Sequence, residues 1–123
     1  MLVLARLAAI GLVLCAVTAP AAAQGYPNRP IKWIISFPPG GSTDVVARAM
    51  QTSLEKRLGQ PVVIENRGGA GGNIGVDAVA KSPPDGYTIG FAAAGALAVN
   101  PSLMEKVPFS VEKDLVPVTL VGT

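Results

Sequence analysis

The spacing of apolar residues predicts an α/β fold, a parallel sheet built from βαβ units with helices on both faces. Three observations carry this. Short apolar runs rich in β-branched and aromatic residues recur at Ile31 to Phe37, Val62 to Ile64, Tyr87 to Ala92 and Val116 to Val121, the pattern of strands buried on both sides. Segments of helical period lie between them, as alternating βα order requires. Glycine-bearing loops stand where strands hand over to helices, where ligands bind in such sheets.

Taken in order, Tyr26-Pro27-Asn28-Arg29-Pro30 is an extended lead-in, because its prolines oppose helix. Ile31 to Phe37 is the first strand, ended by Pro38-Pro39-Gly40-Gly41. Ser42 or Thr43 then caps a helix that runs to about Leu58. Val46, Met50, Leu54 and Leu58 form its inward line with Val45 and Ala49 beside them, while Arg48, Gln51, Glu55 and Lys56 face away. Gly59 stops it. After the strand Val62-Val63-Ile64 come Glu65-Asn66-Arg67 and a second glycine loop, Gly68 to Gly72. A shorter helix follows from Ile74 to Lys81, with Ile74, Ala78 and Val79 inward. Ser82-Pro83-Pro84-Asp85-Gly86 is a turn leading into the third strand. A weak helical segment near Leu97 to Met104 is interrupted by Pro101, and Val107-Pro108-Phe109 is irregular. Val116 to Val121 reads as a fourth strand, with Pro117 opposing a central position in the sheet.

The ends and the composition narrow the function. Met1 to Ala23 reads as a secretory signal peptide: Arg6 and the amino terminus are positive, Leu7 to Ala19 is apolar, and Ala21-Ala22-Ala23 presents small residues before a cleavage point at Gln24. The apolar stretch is short for a bilayer span of about 20 residues. Leu14 is too bulky to precede a lipidated Cys15. Cleavage would take the formal charge from +2 to +1, since Arg6 is the one charged side chain removed. The mature chain would hold no cysteine, and there is no histidine anywhere, which rules out Ser-His-Asp and Cys-His catalysis and ordinary zinc ligation. No metal and no cofactor are expected. The basic residues are scattered among eight acidic ones and form no stripe, so there is no footprint for nucleic acid. An exported, periplasmic product is expected.

The loop Phe37-Pro38-Pro39-Gly40-Gly41-Ser42-Thr43-Asp44 runs straight into a helix. Bare N–H groups and the positive end of a helix there suit a small anion. The glycine pair equally suits a tight strand-to-helix turn and nothing more, and both readings stay open at this point. Asp44 would repel a bound carboxylate but complements the helix dipole, and it is free to hold a water or a ligand amine. Gly69, Gly71 and Gly75 approximate a dinucleotide fingerprint poorly, because Glu65-Asn66-Arg67 separates them from the strand. Asp85 before Gly86 is explained by turn chemistry. Asp77 is a solvated helix position, Trp33 a core residue, and Arg67 a solvated surface side chain.

Together these motifs resemble the Bug-type, TctC-like receptors, the extracytoplasmic solute-binding proteins of tripartite tricarboxylate transport systems. The matching residues are Tyr26-Pro27-x-Arg29-Pro30-Ile31, Phe37 to Asp44, Glu65-Asn66-Arg67-Gly68-Gly69-Ala70-Gly71-Gly72-Asn73-Ile74-Gly75, Pro84-Asp85-Gly86-Tyr87-Thr88, Asn100-Pro101 and Lys113 to Val118. They run in order across nearly all of Gln24 to Thr123. The resemblance implies a two-lobed, type II periplasmic-binding-protein-like fold that closes on a small carboxylic acid. It implies ligand contacts from loops after the first and third strands, largely through backbone N–H groups and ordered water. Carried over, these are Phe37, Pro39, Gly40, Gly41, Ser42, Thr43 and Asp44, with Ala94, Gly95 and Ala96. The loop Gly68 to Gly72 is expected near the cleft. The implied partners are the ligand and the membrane permease subunits that receive it.

Such receptors continue through a second lobe, so residues 24–123 are expected to be the partial first lobe of a receptor whose second lobe is absent, and no reaction is expected of them. The rival readings are a nucleotide-dependent enzyme built on Gly69 to Gly75, a secreted interaction module, and a non-functional truncated product.

Overall fold

The structure is a computed structural model that describes residues 25–122. The expected signal peptide lies outside the described residues. Strand β1 spans Ile31–Ile35, helix α1 Ser42–Leu58, strand β2 Val62–Asn66, helix α2 Asn73–Ala80 and strand β3 Thr88–Phe91. One tight turn of helix, Ala70–Gly72, leads into α2. After β3 a wide helical turn over Gly95–Val99 continues into α3, Asn100–Leu103, and a last short helix, α4, covers Val111–Asp114.

The strands form a parallel sheet in the order β2-β1-β3. Lys32 aligns with Val63 on one side and Thr88 on the other, and Trp33 with Ile64 and Ile89. The chain therefore steps to one side of β1, then crosses to the other. Crossovers of one hand taken in opposite directions lay their helices on opposite faces, and the side chains confirm it. On one face Trp33, Ile35, Ala47 and Val62 make a core cluster with Met50, Leu54 and Leu58 of α1 packed against it. Trp33 and Phe91 stack there at 6.0 Å. On the other face α2 lies over β1 and β3, where Gly75 and Gly90 bring the layers together. A Cβ on Gly75 would stand 2.6 Å from Ser36 Cα, and one on Gly90 2.8 Å from Val79. A second cluster of Val76, Ala96 and Phe109 extends this layer.

The expected fold class holds, and several details differ. The inward line of α1 runs through Ala47, Met50, Leu54 and Leu58, while Val45 and Val46 are 59% and 39% exposed. Gln51 and Glu55 do not face away. Gln51 Nε2 donates to Val62 C=O at 2.7 Å and Val62 N–H donates to Glu55 at 3.0 Å, satisfying the outer edge of β2, where no strand pairs among the described residues. Strand β2 continues to Asn66, two residues beyond the apolar run, because β1 offers backbone partners as far as Ile35. In α2, Ile74 is exposed and Gly75 and Val76 are buried; the small residue lets the helix approach β1 closely. Asp77 is half-buried and paired with Lys81 at 2.8 Å rather than solvated.

Pro101 does not break its helix. Asn100 N–H bonds to Gly95 C=O, one residue further back than in an α-turn, and this widened turn accommodates a residue without an N–H. The expected fourth strand is not formed. Val116, Val118 and Leu120 are at least 77% exposed, and the segment has no neighbouring strand among the described residues. An apolar run becomes a strand only where another strand supplies its hydrogen bonds.

Candidate functional site

In a parallel sheet all strands end on the same side, and here the strand order switches at β1. The loops after β1 and β3 therefore open beside each other. The structure brings the predicted site residues together with the second glycine loop between them. A Cβ on Gly72 would lie 3.0 Å from Ala96 Cβ and 3.5 Å from Phe37 Cζ, and one on Gly68 2.9 Å from the Pro38 ring. Gly68 to Gly72 is thus wedged between Phe37–Asp44 and Ala94–Ala96. Gly75 packs directly on Ser36. These glycines serve close contact between backbone layers, and the loosened fingerprint spacing is a consequence of packing.

The first loop is held by its own helix. Gly41, extended at φ −73° and ψ 167°, is the N-cap of α1 and makes no side-chain cap bond. Ser42 and Thr43 are the first helical residues, not the cap expected from the sequence; the cap position falls on Gly41, and Asp44 reaches back to the loop before it. Gly40, at φ +81°, donates its N–H to Asp44 Oδ2 at 2.9 Å. The first internal bond of the helix runs from Val45 N–H to Gly41 C=O at 3.0 Å. The Ser42, Thr43 and Asp44 amides precede that bond and have no acceptor within the helix. Ser42 is exposed and Thr43 half-buried, as are Gly40 and Gly41 respectively, and Pro39 is exposed. In the third loop Ala94 and Gly95 are exposed, while Ala96 is buried with its N–H on Ala93 C=O at 3.0 Å.

Asp44 is 3% exposed. Its carboxylate accepts from Arg48 Nε at 2.9 Å, Gly40 N–H at 2.9 Å and Asn66 Nδ2 at 2.9 Å. The Arg48 hydrogen bond above all, then those from Gly40 and Asn66, hold its pKa far below the ordinary carboxylate value, and the same contact raises that of Arg48. Asp44 is therefore a buried, neutralised anion. Arg67 is not merely solvated, since its Nε donates to Glu65 at 2.6 Å and that bond lowers the Glu65 pKa. Asp85 accepts from Tyr87 N–H at 3.0 Å, as its turn predicts, and also pairs with Arg29 at 2.7 Å. That cluster sits at the opposite end of the strands. The sequence reasoning missed Asn66 and Arg48, whose signals were an amide at a strand end and an arginine four residues after an aspartate.

This arrangement offers helix-start amides and glycine backbone at a sheet mouth, with the charge of Asp44 paired to Arg48 beneath it. A family model described as the tripartite tricarboxylate transporter family receptor matches residues 46–123. The chain belongs to that family. Protein BugT of Bordetella pertussis is 54% identical over 119 residues, 94% of this chain and 36% of BugT. Among solved structures, MatC of Rhodopseudomonas palustris with bound malate matches with a TM-score of 0.68 and 37% identity, over 72% of this chain and 30% of MatC. R. palustris Rpa4515 with adipate matches with a TM-score of 0.56 and 41% identity, over 58% of this chain and 24% of that protein. The chain spans about a third of the length of the relatives it matches. The tripartite tricarboxylate receptors are periplasmic solute-binding proteins and not an enzyme class, so the nucleotide-dependent enzyme is set aside.

Proposed function

We propose that this chain supplies one wall, from the first lobe, of a carboxylate-binding cleft in a periplasmic receptor, and that it captures its ligand without transforming it. The observation that carries this is the α1 start beside the other two loops at the carboxyl end of the sheet, with the Ser42 and Thr43 amides unpaired in the helix. Those amides, the Ser42 and Thr43 hydroxyls, and the Gly95 backbone are the donors, while Gly41, whose N–H is on Pro38 C=O at 3.4 Å, leaves room for close approach. Phe37, Pro39 and Ala94 to Ala96 shape the wall. Gly40 contributes through its left-handed backbone, its N–H being on Asp44. The malate and adipate found with the two relatives support a dicarboxylate as the ligand class. A second lobe would close over the ligand, and membrane permease subunits would receive it. Export depends on residues 1–23.

Calorimetry with malate, adipate and citrate tests this reading, with Gly41→Val as the control. A Cβ on Gly41 meets nothing nearer than Pro38 O at 3.4 Å, and its backbone is extended, so the variant should fold normally while its side chain blocks ligand approach. The expected result is heat from at least one acid and none from the variant. Equal heat from both would overturn the site. Export is checked separately by mass spectrometry of the periplasmic fraction, where a mature chain beginning at Gln24 is expected.

A further inference from the structure

Under the first loop lies a polar cluster that ligand capture does not itself use. Asn66, the last residue of β2, donates through Nδ2 both to Phe37 C=O at 3.1 Å and to Asp44 Oδ1 at 2.9 Å. Phe37 begins the loop and Asp44 ends it, so one amide from a neighbouring strand ties both ends together. Arg48 closes the cluster, with Nε on Asp44 Oδ2 at 2.9 Å and a terminal nitrogen on Asn66 Oδ1 at 3.3 Å. Gly40 N–H fills a further position on Asp44 Oδ2. Three of the carboxylate's roughly four lone-pair directions are thus taken by protein donors.

We propose that Asp44, Asn66 and Arg48 are positioning residues, which brace the Phe37–Asp44 loop for carboxylate binding without touching the ligand. This rests on the reading of that loop as the ligand wall. Two physical needs are met together. A loop with adjacent glycines has much backbone freedom to lose, and bracing it beforehand removes that cost from binding. An acidic residue at a helix start competes with an anionic ligand for the same positive end. Arg48 cancels that charge locally, and the burial of Asp44 keeps its oxygens away from the mouth.

The test uses the full chain with Asp44→Asn, Asn66→Asp and the exchanged pair Asp44→Asn/Asn66→Asp. Loss of a charge-assisted bond should weaken malate binding about tenfold in each single variant. The exchanged pair keeps one carboxylate and one amide around Arg48 and should recover part of the loss, a non-additivity expected only of groups acting as one unit. Backbone order by NMR relaxation is read in parallel. In the single variants order should fall across residues 40–43 from about 0.85 to below about 0.6, with Trp33 and Ile35 unchanged. Loss of order spread equally over β1 would mean a general structural role and overturn the proposal, as would loop order that does not change. A loosened loop with full malate affinity overturns it too. Wild-type chain that gives no heat with malate or adipate defeats the ligand reading instead, while the relaxation result still decides whether the three residues brace the loop.

Discussion

Asp44 shows how far a residue's role depends on its neighbours. In the sequence it is a charge at a helix start, and in the structure it is an acceptor for three donors from three different segments. Its depressed pKa has a consequence for stability. The folded pKa lies below the ordinary value of 3.8, so the contribution is complete above that value and is lost as the pH falls toward the folded pKa. Glu65, lowered chiefly by Arg67, adds in the same direction. Urea midpoints of the wild type should drop steeply between about pH 4 and about pH 2, and those of Asp44→Asn should drop less. Gly75 is a second test at this scale. Alanine would gain up to about 1 kcal/mol in a helix interior, but its Cβ would meet Ser36 Oγ at 2.7 Å and Arg67 C=O at 2.8 Å. Overpacking of this kind costs about 1–3 kcal/mol and involves backbone that cannot move aside. Gly75→Ala should therefore lower the urea midpoint.

Helix α1 is the element that connects fold to site. Its amino end forms the ligand wall, its middle fills the core through Ala47, Met50 and Leu54, and its carboxyl half seals the edge of β2. Val62 is one of the most buried residues, yet its N–H and C=O point away from β1, and Glu55 and Gln51 meet them. Removing either side chain leaves a part-buried backbone group unpaired, which costs about 1–3 kcal/mol. Glu55→Ala and Gln51→Ala should each lower stability by that order, measured by urea unfolding, without changing malate affinity. The helix ends at Gly59, whose φ of +67° permits its N–H to reach Glu55 C=O. Gly59→Ala should cost about 1 kcal/mol, since only glycine adopts that conformation freely. Helix α1 was legible in the sequence because it is long and well punctuated. Its inward line was misjudged because the small Ala47, not Val46, sits where the helix comes closest to the sheet.

Among the described residues, the sheet ladders and the buried clusters lie in the three strands and in the helices and loops packed on them. Beyond α4 the chain runs extended and apolar, with Val116 87% and Val118 86% exposed. Backbone amides without a ladder open at almost no cost. Hydrogen exchange should be complete within seconds over 116–122 while amides of β1 remain protected, and brief proteolysis should cut there first. Protection over 116–122 matching that of β1 would contradict this account.

Apolar period and turn residues determined the parallel α/β fold, the order of its strands and helices as far as β3, and the strand-to-helix loop that carries the proposed site. These are local signals, set by which side chains can be buried at which spacing. Tertiary structure alone decided which face of α2 is inward, that Gly68 to Gly72 wedges between the two site loops, and that Arg48 neutralises Asp44 while Asn66 hydrogen-bonds it. It also gave Val116 to Val121 no neighbouring strand among the described residues. Contacts of this kind join residues far apart in the chain, so they depend on how closely two backbones approach, a distance that no local pattern encodes.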